Sequence, residues 1–296
     1  MMVRFCVHSE FEPLTHVVMG LGRGYHRDLA RVEIANATHQ KTLDAHGHPA
    51  ERQVVAEFAG FKAAMEAAGV RVQEPELASD NVQDQTCPRD IAFVIGDTLV
   101  TAGMRHAGRA EEIDAVRGIF AGFEGPQVAV PKGLTLEGGD VVVHRDLVFV
   151  GAGQRSDAEG TSFLAERFPD HRIVAVPTKG PSEGEEVLHL DCAFNPLGLG
   201  HALVYPDGLA QVPLEMRGFD WIEVTRDEAQ ALATNVLSVA PDHIIARDHP
   251  GCARVNDALR RAGYRVDEVT FDAVPSTGGS FRCATLPLTR APMDAE

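Results

Sequence analysis

Apolar and polar residues follow a pattern that recurs five times along the chain, a stretch with helical spacing and then a short β-rich run. The helix-like stretches are residues 58–68, 111–123, 162–168, 212–217 and 253–262. The β-rich runs that follow them are residues 70–75, 127–131, 171–177, 221–225 and 264–270. This regular return predicts a fold built from repeated units.

Paired strands around short turns lie between these stretches. The pairs are residues 91–95 with 98–101, 141–143 with 147–150, and 236–239 with 243–246. Residues 15–19 begin the first unit, residues 202–205 continue the pattern, and residues 284–288 are assigned to the last unit. Units of about 45 to 55 residues of this kind do not each bury a core, so we expect them to stack around a common axis.

No linker or abrupt change of composition divides the chain, so we predict one α/β domain over residues 1–296. Residues 20–51 are the exception, because they are polar and show no clear period. The segment carries four histidines, His26, His39, His46 and His48. A lid over a site and a variable surface excursion both fit this pattern.

Composition narrows the class of protein. The 296 residues are 44% hydrophobic, which is typical of a folded soluble protein, and the net charge of −16 argues against a nucleic-acid partner. The five cysteines are dispersed and never form Cys-x-x-Cys, which favours a reducing compartment over a disulfide framework or a zinc ribbon. Because the start lacks a signal-peptide core and no apolar run approaches about 20 residues, we predict a cytoplasmic protein.

Cys283 stands where a glycine-rich loop becomes an apolar strand, so it is either a buried hydrophobe or a nucleophile. His189 and Asp191 are two residues apart in a β-like run, which predicts that both side chains face one pocket. Such a pair suits a general acid/base, although His-x-Asp alone also fits a polar surface strand. A metal site is disfavoured, since no further His or Cys stands at ligand spacing.

Acidic residues also cluster where other predicted strands begin. Glu137 and Asp140 surround a glycine turn before residues 141–143, and Asp90 precedes residues 91–95. Carboxylates at equivalent ends of repeated strands are what a cation-binding centre needs, and a planar guanidinium binds paired carboxylate oxygens well.

Five stretches, in this order, resemble the motifs of the guanidine-modifying enzymes of the pentein fold: Cys87-Pro-Arg-Asp90, Leu136-Glu-Gly-Gly-Asp140, Val150-Gly-Ala-Gly-Gln-Arg-Ser156, His189-Leu-Asp191 and Gly278-Gly-Ser-Phe-Arg-Cys283. This group includes arginine deiminases, dimethylargininases, agmatine deiminases and amidinotransferases. The resemblance implies a five-bladed α/β propeller of pseudo-symmetric ββαβ units, in agreement with the repeats.

The resemblance also implies roles for individual residues. The expected catalytic residues are the nucleophile Cys283, the proton carrier His189, Glu137 and Asp191. The expected substrate-binding residues are Asp90 and Asp140, with Arg155 at the position that holds the substrate carboxylate in arginine deiminases. No metal or cofactor is implied, and the expected partner is a small guanidino compound rather than nucleic acid or membrane. A homo-oligomer stays open.

The implied reaction is hydrolysis of the guanidinium group of arginine or a derivative, through a covalent amidino-thioether (S-alkylthiouronium), to a ureido product and ammonia or an amine. An amidinotransferase, an arginine dihydrolase that forms ornithine, and a non-enzymatic pentein-fold binding protein are the alternatives. Gly278 stands where arginine deiminases usually carry arginine, and Glu137 stands where amidinotransferases tend to carry aspartate. The branch is therefore left open.

Overall fold

The computed structural model describes residues 3–25 and 37–293. Its strands are β1 (Val3–Arg4), β2 (Leu14–Met19), β3 (Arg71–Gln73), β4 (Ala92–Ile95), β5 (Thr98–Thr101), β6 (Phe123–Glu124), β7 (Gln127–Ala129), β8 (Val141–His144), β9 (Leu147–Ala152), β10 (Arg172–Pro177), β11 (Phe194–Pro196), β12 (His201–Val204), β13 (Asp220–Glu223), β14 (Leu237–Ala240), β15 (His243–Arg247), β16 (Arg265–Val269) and β17 (Thr285–Arg290). Its α-helices are α1 (Ala37–His46), α2 (Glu51–Ala67), α3 (Arg117–Phe120), α4 (Ala158–Arg167), α5 (Arg226–Gln230) and α6 (Ala253–Arg261).

Five three-stranded sheets confirm the predicted repeat. In each sheet an antiparallel pair is extended by a third strand that runs parallel to its neighbour. In order along the ring, the five units are β17-β2-β3, β4-β5-β7, β8-β9-β10, β11-β12-β13 and β14-β15-β16. The assignment of residues 284–288 to the last unit was wrong, because β17 pairs with β2 of the first unit.

The helices follow from ordinary sequence signals. In α2, Val54, Phe58, Phe61 and Met65 recur at helical spacing and are buried. The N-cap of α4 is Asp157, whose carboxylate accepts the N–H of residue 160 at 2.7 Å. Among the described residues, no helix has the length and apolar character needed to cross a bilayer.

Two predicted elements differ from the structure. Residues 212–217 were expected to form a helix like the others, but the chain forms a short 3-10 helix at Leu214–Gly218, between Pro213 and an exposed glycine. Residues 111–123 are largely a 3-10 helix, Ala107–Val116, followed by the single turn of α3. Proline and glycine weaken regular helix formation at the first place, and Gly108 and Gly118 do so at the second.

Buried apolar clusters join the units in a closed cycle. One cluster joins the third, fourth and fifth units and includes Phe149, Phe194 and Ile244. Three further clusters join the fifth unit to the first, the first to the second, and the second to the third. Because each unit packs on both neighbours, the units follow one another around a ring, as the propeller prediction requires.

A buried group of charged side chains, named here the central ionic cluster, consists of Glu10, Arg89, Arg282 and Arg290 and contacts more than one unit. The carboxylate of Glu10 lies 3.0 Å from Arg282 and 3.6 Å from Arg89. Arg282 also donates to the carbonyl of Val141 in the third unit, and Arg290 donates to a carbonyl of the fifth unit. Although burial opposes ionisation of Glu10, the three arginines lower its pKa to about 2. Buried charges need such partners.

Candidate active site

The loop before β17 carries Cys283 and depends on glycine. Gly278 and Gly279 have φ angles of +98° and +104°, in the left-handed region that favours glycine. A Cβ at residue 279 would lie 2.7 Å from Cys87 Sγ and 3.7 Å from Cys283 Sγ. The glycine therefore lets the loop pass directly over the two thiols, which are both buried.

The Cys283 thiol lies between a carboxylate and an amide. Its Sγ is 3.5 Å from Asp191 Oδ2 and 3.2 Å from Asn235 Nδ2. Burial, followed by the negative charge of Asp191 and the thiol of Cys87, raises the pKa of Cys283 well above 9. In the ligand-free site the sulfur therefore carries its proton at neutral pH, and a cation bound nearby would favour the thiolate.

The expectation that His189 and Asp191 share one face of a strand was wrong. His189 caps a 3-10 helix, Leu190–Cys192, and the two side chains contact different partners. His189 Nε2 lies 2.8 Å from Glu137 Oε2, and His189 Nδ1 lies 3.7 Å from Asp90 Oδ1. Burial would lower the pKa of His189, but Asp90, the hydrogen bond to Glu137 and the charge of Asp140 outweigh it and raise the pKa to about 9. His189 is thus an imidazolium at neutral pH.

Glu137 links three parts of the site. It precedes the 3-10 helix Gly138–Asp140, and its second oxygen accepts the backbone N–H of Arg105 at 2.8 Å. Its Oε2 is also 3.3 Å from Arg155 Nη1. Despite complete burial, the contacts with His189 and Arg155 lower the pKa of Glu137 to about 2. Arg155 lines the adjoining cleft with one side while it contacts this carboxylate.

Asp140 has both oxygens occupied by groups of the protein. Oδ1 accepts the backbone N–H of Leu190 at 2.8 Å, and Oδ2 accepts the Ser156 hydroxyl at 2.6 Å. Burial raises the pKa of Asp140 to about 6. The sequence predicts that Asp140 binds substrate, and this stays a prediction; in the structure its carboxylate binds the segment that carries His189.

Asp90 presents one oxygen that the protein leaves open. Its Oδ2 binds Arg109 Nη1 at 2.6 Å, whereas Oδ1 is buried and has no hydrogen-bond partner among the described residues. Arg109 in turn forms two contacts with Glu112, at 2.7 and 2.9 Å. Burial outweighs these contacts and raises the pKa of Glu112 to about 7. A buried oxygen without a partner is where a ligand N–H would bind.

Asp191 belongs both to the site and to the centre of the ring. Its Oδ2 lies 2.8 Å from Arg282 Nη1 and also faces the Cys283 sulfur. Through Arg282, the carboxylate beside the thiol is anchored to the central ionic cluster. Asp191 is completely buried, so its orientation is fixed by this pair.

A cleft lies beside these groups and reaches Asp90 and Arg155, whereas Cys283 and His189 are not among its lining residues. Its lining includes Cys87, Asp90, Arg109, Arg155 and Gly278. A second pocket shares its wall at residues 188 and 278 and continues over residue 279. Within the described part of the chain, one group of side chains has ligand atoms close enough to hold a metal ion, and its members are Asp90, Glu137 and His189. The carboxylate oxygens of Asp90 and Glu137 would also suit a guanidinium, whose N–H groups need acceptors.

Helix α1 belongs to the polar segment 20–51 and packs on the loop before β17 that carries Cys283, named here the nucleophile loop. Thr42 Oγ1 donates to the carbonyl of Ser276, and Lys41 forms a 2.7 Å ion pair with Glu186. His39 lines the cleft. Residues 26–36, including His26, lie outside the described residues, so the lid interpretation stays a prediction.

The structure brings the predicted residues into one buried region, but sequence reasoning missed two participants. Arg109 was signalled only by the Arg109-Ala-Glu-Glu112 spacing, which suits an ion pair three residues apart. Asn235 had no signal in its own segment, because its partners lie 45 and 48 residues later in the chain.

Comparison with known proteins agrees with this picture. The fold and the combination of thiol, imidazole and carboxylates define a guanidine-modifying protein of the pentein class. The uncharacterized protein YkgA of Bacillus subtilis (strain 168) is 36% identical over 213 residues, which cover 71% of this chain and 72% of YkgA. The chain belongs to the family described as N,N dimethylarginine dimethylhydrolase, eukaryotic, whose model matches residues 30–290.

Two other proteins show how wide this class is. The arginine deiminase of Listeria welshimeri is 28% identical over 251 residues, which cover 68% of this chain but only 60% of the deiminase. The structure of SxtG, an amidinotransferase from Microseira wollei in the saxitoxin biosynthetic pathway, superposes with a TM-score of 0.84 at 20% identity and covers 99% of each chain. At that identity the likeness shows the shared fold.

Proposed function

We propose that this protein is a hydrolase of the guanidinium group of arginine or an arginine derivative, with Cys283 as the nucleophile. The observation that carries the proposal is the buried Oδ1 of Asp90, which has no hydrogen-bond partner among the described residues and lies 3.7 Å from His189 Nδ1. A guanidinium has planar N–H donors that would satisfy this oxygen. Its reactive carbon would then lie near the Cys283 thiol, whose neighbour Asp191 offers a further acceptor.

The first half-reaction forms the covalent intermediate. The positive charge of the bound substrate favours the Cys283 thiolate, whose proton is released, and the sulfur attacks the guanidinium carbon to give a tetrahedral adduct. His189 then donates a proton to the departing nitrogen as the C–N bond breaks. An imidazolium with a pKa of about 9 is charged at neutral pH and can perform this step. An S-alkylthiouronium remains on Cys283.

The second half-reaction releases the product. Water attacks the same carbon and gives a proton to His189, which is now neutral. The C–S bond breaks, and the sulfur leaves as the Cys283 thiolate. The hydroxyl of the adduct loses its proton to solvent as the carbonyl forms. The ureido product, ammonia or an amine, and this proton together account for the guanidinium and the water. Glu137, held by Arg155, keeps the imidazole oriented in both steps.

The carboxylate of the substrate would be recognised at the arginine-lined part of the cleft. Arg155 is proposed from the sequence for this role, and Arg109 lines the same cleft. The guanidinium of arginine forms bidentate pairs with carboxylates. An amino acid should therefore bind better than its decarboxylated analogue.

The remaining predictions are part of the same proposal. The closed cycle of core clusters supports one catalytic domain over the chain. A cytoplasmic location is consistent with the five free thiols. The described segment α1, which contacts the nucleophile loop, would cover the cleft.

A panel of guanidino compounds tests the reaction. Arginine, methylated arginines, agmatine and other guanidino acids are assayed for ammonia, methylamine and ureido product, with and without an acceptor amine such as glycine. Cys283→Ser should abolish turnover, because a hydroxyl lacks the nucleophilicity of a thiolate. Cys252→Ser is the matched control, since Cys252 is a buried free thiol that contacts the carbonyl of Ala231 instead of the site.

Two results would count against the proposal. Retained activity in Cys283→Ser beyond a few per cent would exclude the covalent route. Product formation that requires the added amine would assign the protein to the amidinotransferase branch.

A further inference from the structure

The side chain of Asn235 lies against the candidate nucleophile and is completely buried. Its Oδ1 accepts the backbone N–H groups of Ser280, at 3.2 Å, and of Cys283, at 3.1 Å. Its Nδ2 lies 3.2 Å from Cys283 Sγ. The backbone carbonyl of Asn235 accepts the N–H of Arg282 at 3.2 Å. Asn235 of the fifth unit thus binds the backbone N–H groups of three residues, 280, 282 and 283, in the nucleophile loop before β17. It also contacts the sulfur of Cys283.

The orientation of this amide follows from its partners. Backbone N–H groups are donors only, so the two that meet the side chain must face Oδ1. The amino group of Asn235 must then face Cys283 Sγ, whichever way the two similar atoms are built. An amide N–H can donate to a sulfur, and the bond strengthens when the acceptor is charged.

The turn before Asn235 supports a dedicated role. Leu232 has a φ angle of +61°, in the left-handed region that branched side chains rarely adopt, and its carbonyl accepts the Asn235 N–H at 3.0 Å. The carbonyls of Thr234 and Val236, on either side, both accept from Asn195 Nδ2. Strain of this kind is maintained where surrounding structure fixes a functional group.

Most of the titratable groups around the Cys283 sulfur disfavour the thiolate. The titratable groups that raise the pKa of Cys283 are Asp191, Cys87, Asp90 and Cys192, and the cation that interacts with it is Arg89. Asp191 Oδ2 is placed to accept the S–H proton. Once that proton leaves to solvent, this contact becomes a repulsion between two anions. The amide of Asn235 then supplies the donor that the thiolate needs.

We propose that Asn235 is a catalytic residue whose side-chain amide donates a hydrogen bond to the Cys283 sulfur and stabilises the attacking thiolate. The catalytic part of this statement rests on the proposed function. The hydrogen bond itself is a property of the thiol and is measurable without any guanidino substrate.

Alkylation of Cys283 by iodoacetamide tests the hydrogen bond directly. The thiolate displaces iodide and forms an S–C bond, so below the pKa of the thiol the rate follows the thiolate fraction. The reagent is neutral and does not depend on a guanidinium site. The rate is measured across the pH range in which circular dichroism shows the native fold, and the Cys283 peptide is followed by mass spectrometry.

Three variants separate donation from loop support. Asn235→Asp keeps the shape and the oxygen that accepts the two loop N–H groups, but it replaces the N–H donor with a carboxylate oxygen, whose charge also opposes the thiolate. Asn235→Ala removes both functions. Asn256→Ala is the control, because Asn256 is a buried amide that donates to the carbonyl of Arg247 and to Glu268, away from Cys283.

Both Asn235 variants should slow alkylation at neutral pH by about tenfold to a hundredfold, the effect of losing one charge-assisted hydrogen bond. The ratio of the wild-type rate to the variant rate should be constant below the pKa of the thiol and narrow only at pH values above it, and Asn256→Ala should match the wild type. A wild-type rate in Asn235→Asp would overturn the proposal. So would a rate ratio that stays constant even above the pKa of the thiol, where every variant is ionised, since that pattern reports access to the sulfur. If Asn235→Ala does not fold, Asn235→Ser takes its place.

The two proposals can fail separately. If the Asn235 variants alkylate slowly but no guanidino compound is turned over, the proposed function fails and the thiolate donor stands. If arginine is hydrolysed while alkylation is unchanged in Asn235→Asp, the function stands and Asn235 only shapes the loop.

Discussion

The ion pair between His189 and Glu137 should make the stability of the protein depend on pH above neutrality. Folding raises the pKa of His189 from 6.5 to about 9, so the folded state favours the imidazolium. This stabilisation is fully present below pH 6.5 and is lost as the pH rises through about 9. The difference between the two pKa values corresponds to about 3 kcal/mol of unfolding free energy.

Replacing Glu137 by Gln tests the origin of this effect. The amide keeps the shape and an oxygen that can accept from His189, but it removes the charge. Since Asp90 and Asp140 still face the imidazole, part of the effect should persist. We expect the fall in unfolding free energy between pH 6.5 and 9 to shrink by about 1 to 2 kcal/mol relative to the wild type.

Urea unfolding at a series of pH values measures this difference. The matched control is Glu228→Gln, because the hydrogen bond from Arg254 is the main cause that lowers the pKa of Glu228, also to about 2. Arginine does not titrate in the window, so this control should keep the wild-type pH dependence. Parallel curves for Glu137→Gln and the wild type would refute the idea that Glu137 holds the imidazolium.

Three further predictions concern the site and its loop. The wild type should prefer arginine over agmatine by at least about thirtyfold in the specificity constant, and Arg155→Ala should erase this preference. Equal use of the two substrates by the wild type would remove Arg155 from carboxylate binding. His189→Asn should stall turnover and let an adduct on Cys283 accumulate, visible as added mass on the intact protein, and absence of any adduct at every pH would argue against the covalent intermediate. Gly279→Ala should lower both thermal stability and activity, because its Cβ would lie 2.7 Å from Cys87 Sγ. The control, Gly60→Ala in α2, meets no atom within 4 Å and should stabilise the protein by about 0.5 to 1 kcal/mol. The reverse order of melting temperatures would contradict the loop geometry.

The repeat of the fold could be predicted because local signals determine it. Hairpin turns, helical spacing and short β-rich runs each lie within one unit and need no knowledge of distant residues. Strand β11 escaped notice because it has only three residues, Phe194–Pro196, one of which is proline. The place of β17 also could not be read locally, since its partner β2 belongs to the other end of the chain.

The sequence could predict which residues belong to the candidate site, but not which of them contact each other. Short motifs identified Cys283, His189 and Glu137, yet the contacts that set their protonation join residues far apart. His189 and Glu137 are separated by 52 positions, and Arg282 and Glu10 by 272. The segment after His189 was expected to be a strand but forms a 3-10 helix, Leu190–Cys192. In this conformation the Asp191 carboxylate contacts Arg282.

The pairing of β2 with β17 has a consequence for how the protein folds. The strands bring together positions such as His16 and Thr289, 273 residues apart, so their pairing costs loop-closure entropy that local contacts do not offset in advance. Cys283 lies two positions before β17 begins. A growing chain on the ribosome would therefore expose one edge of β2 until the last strand emerges, and the thiol would be seated only in that final step. The strand pairing that closes the ring therefore also places the Cys283 thiol, in one slow step.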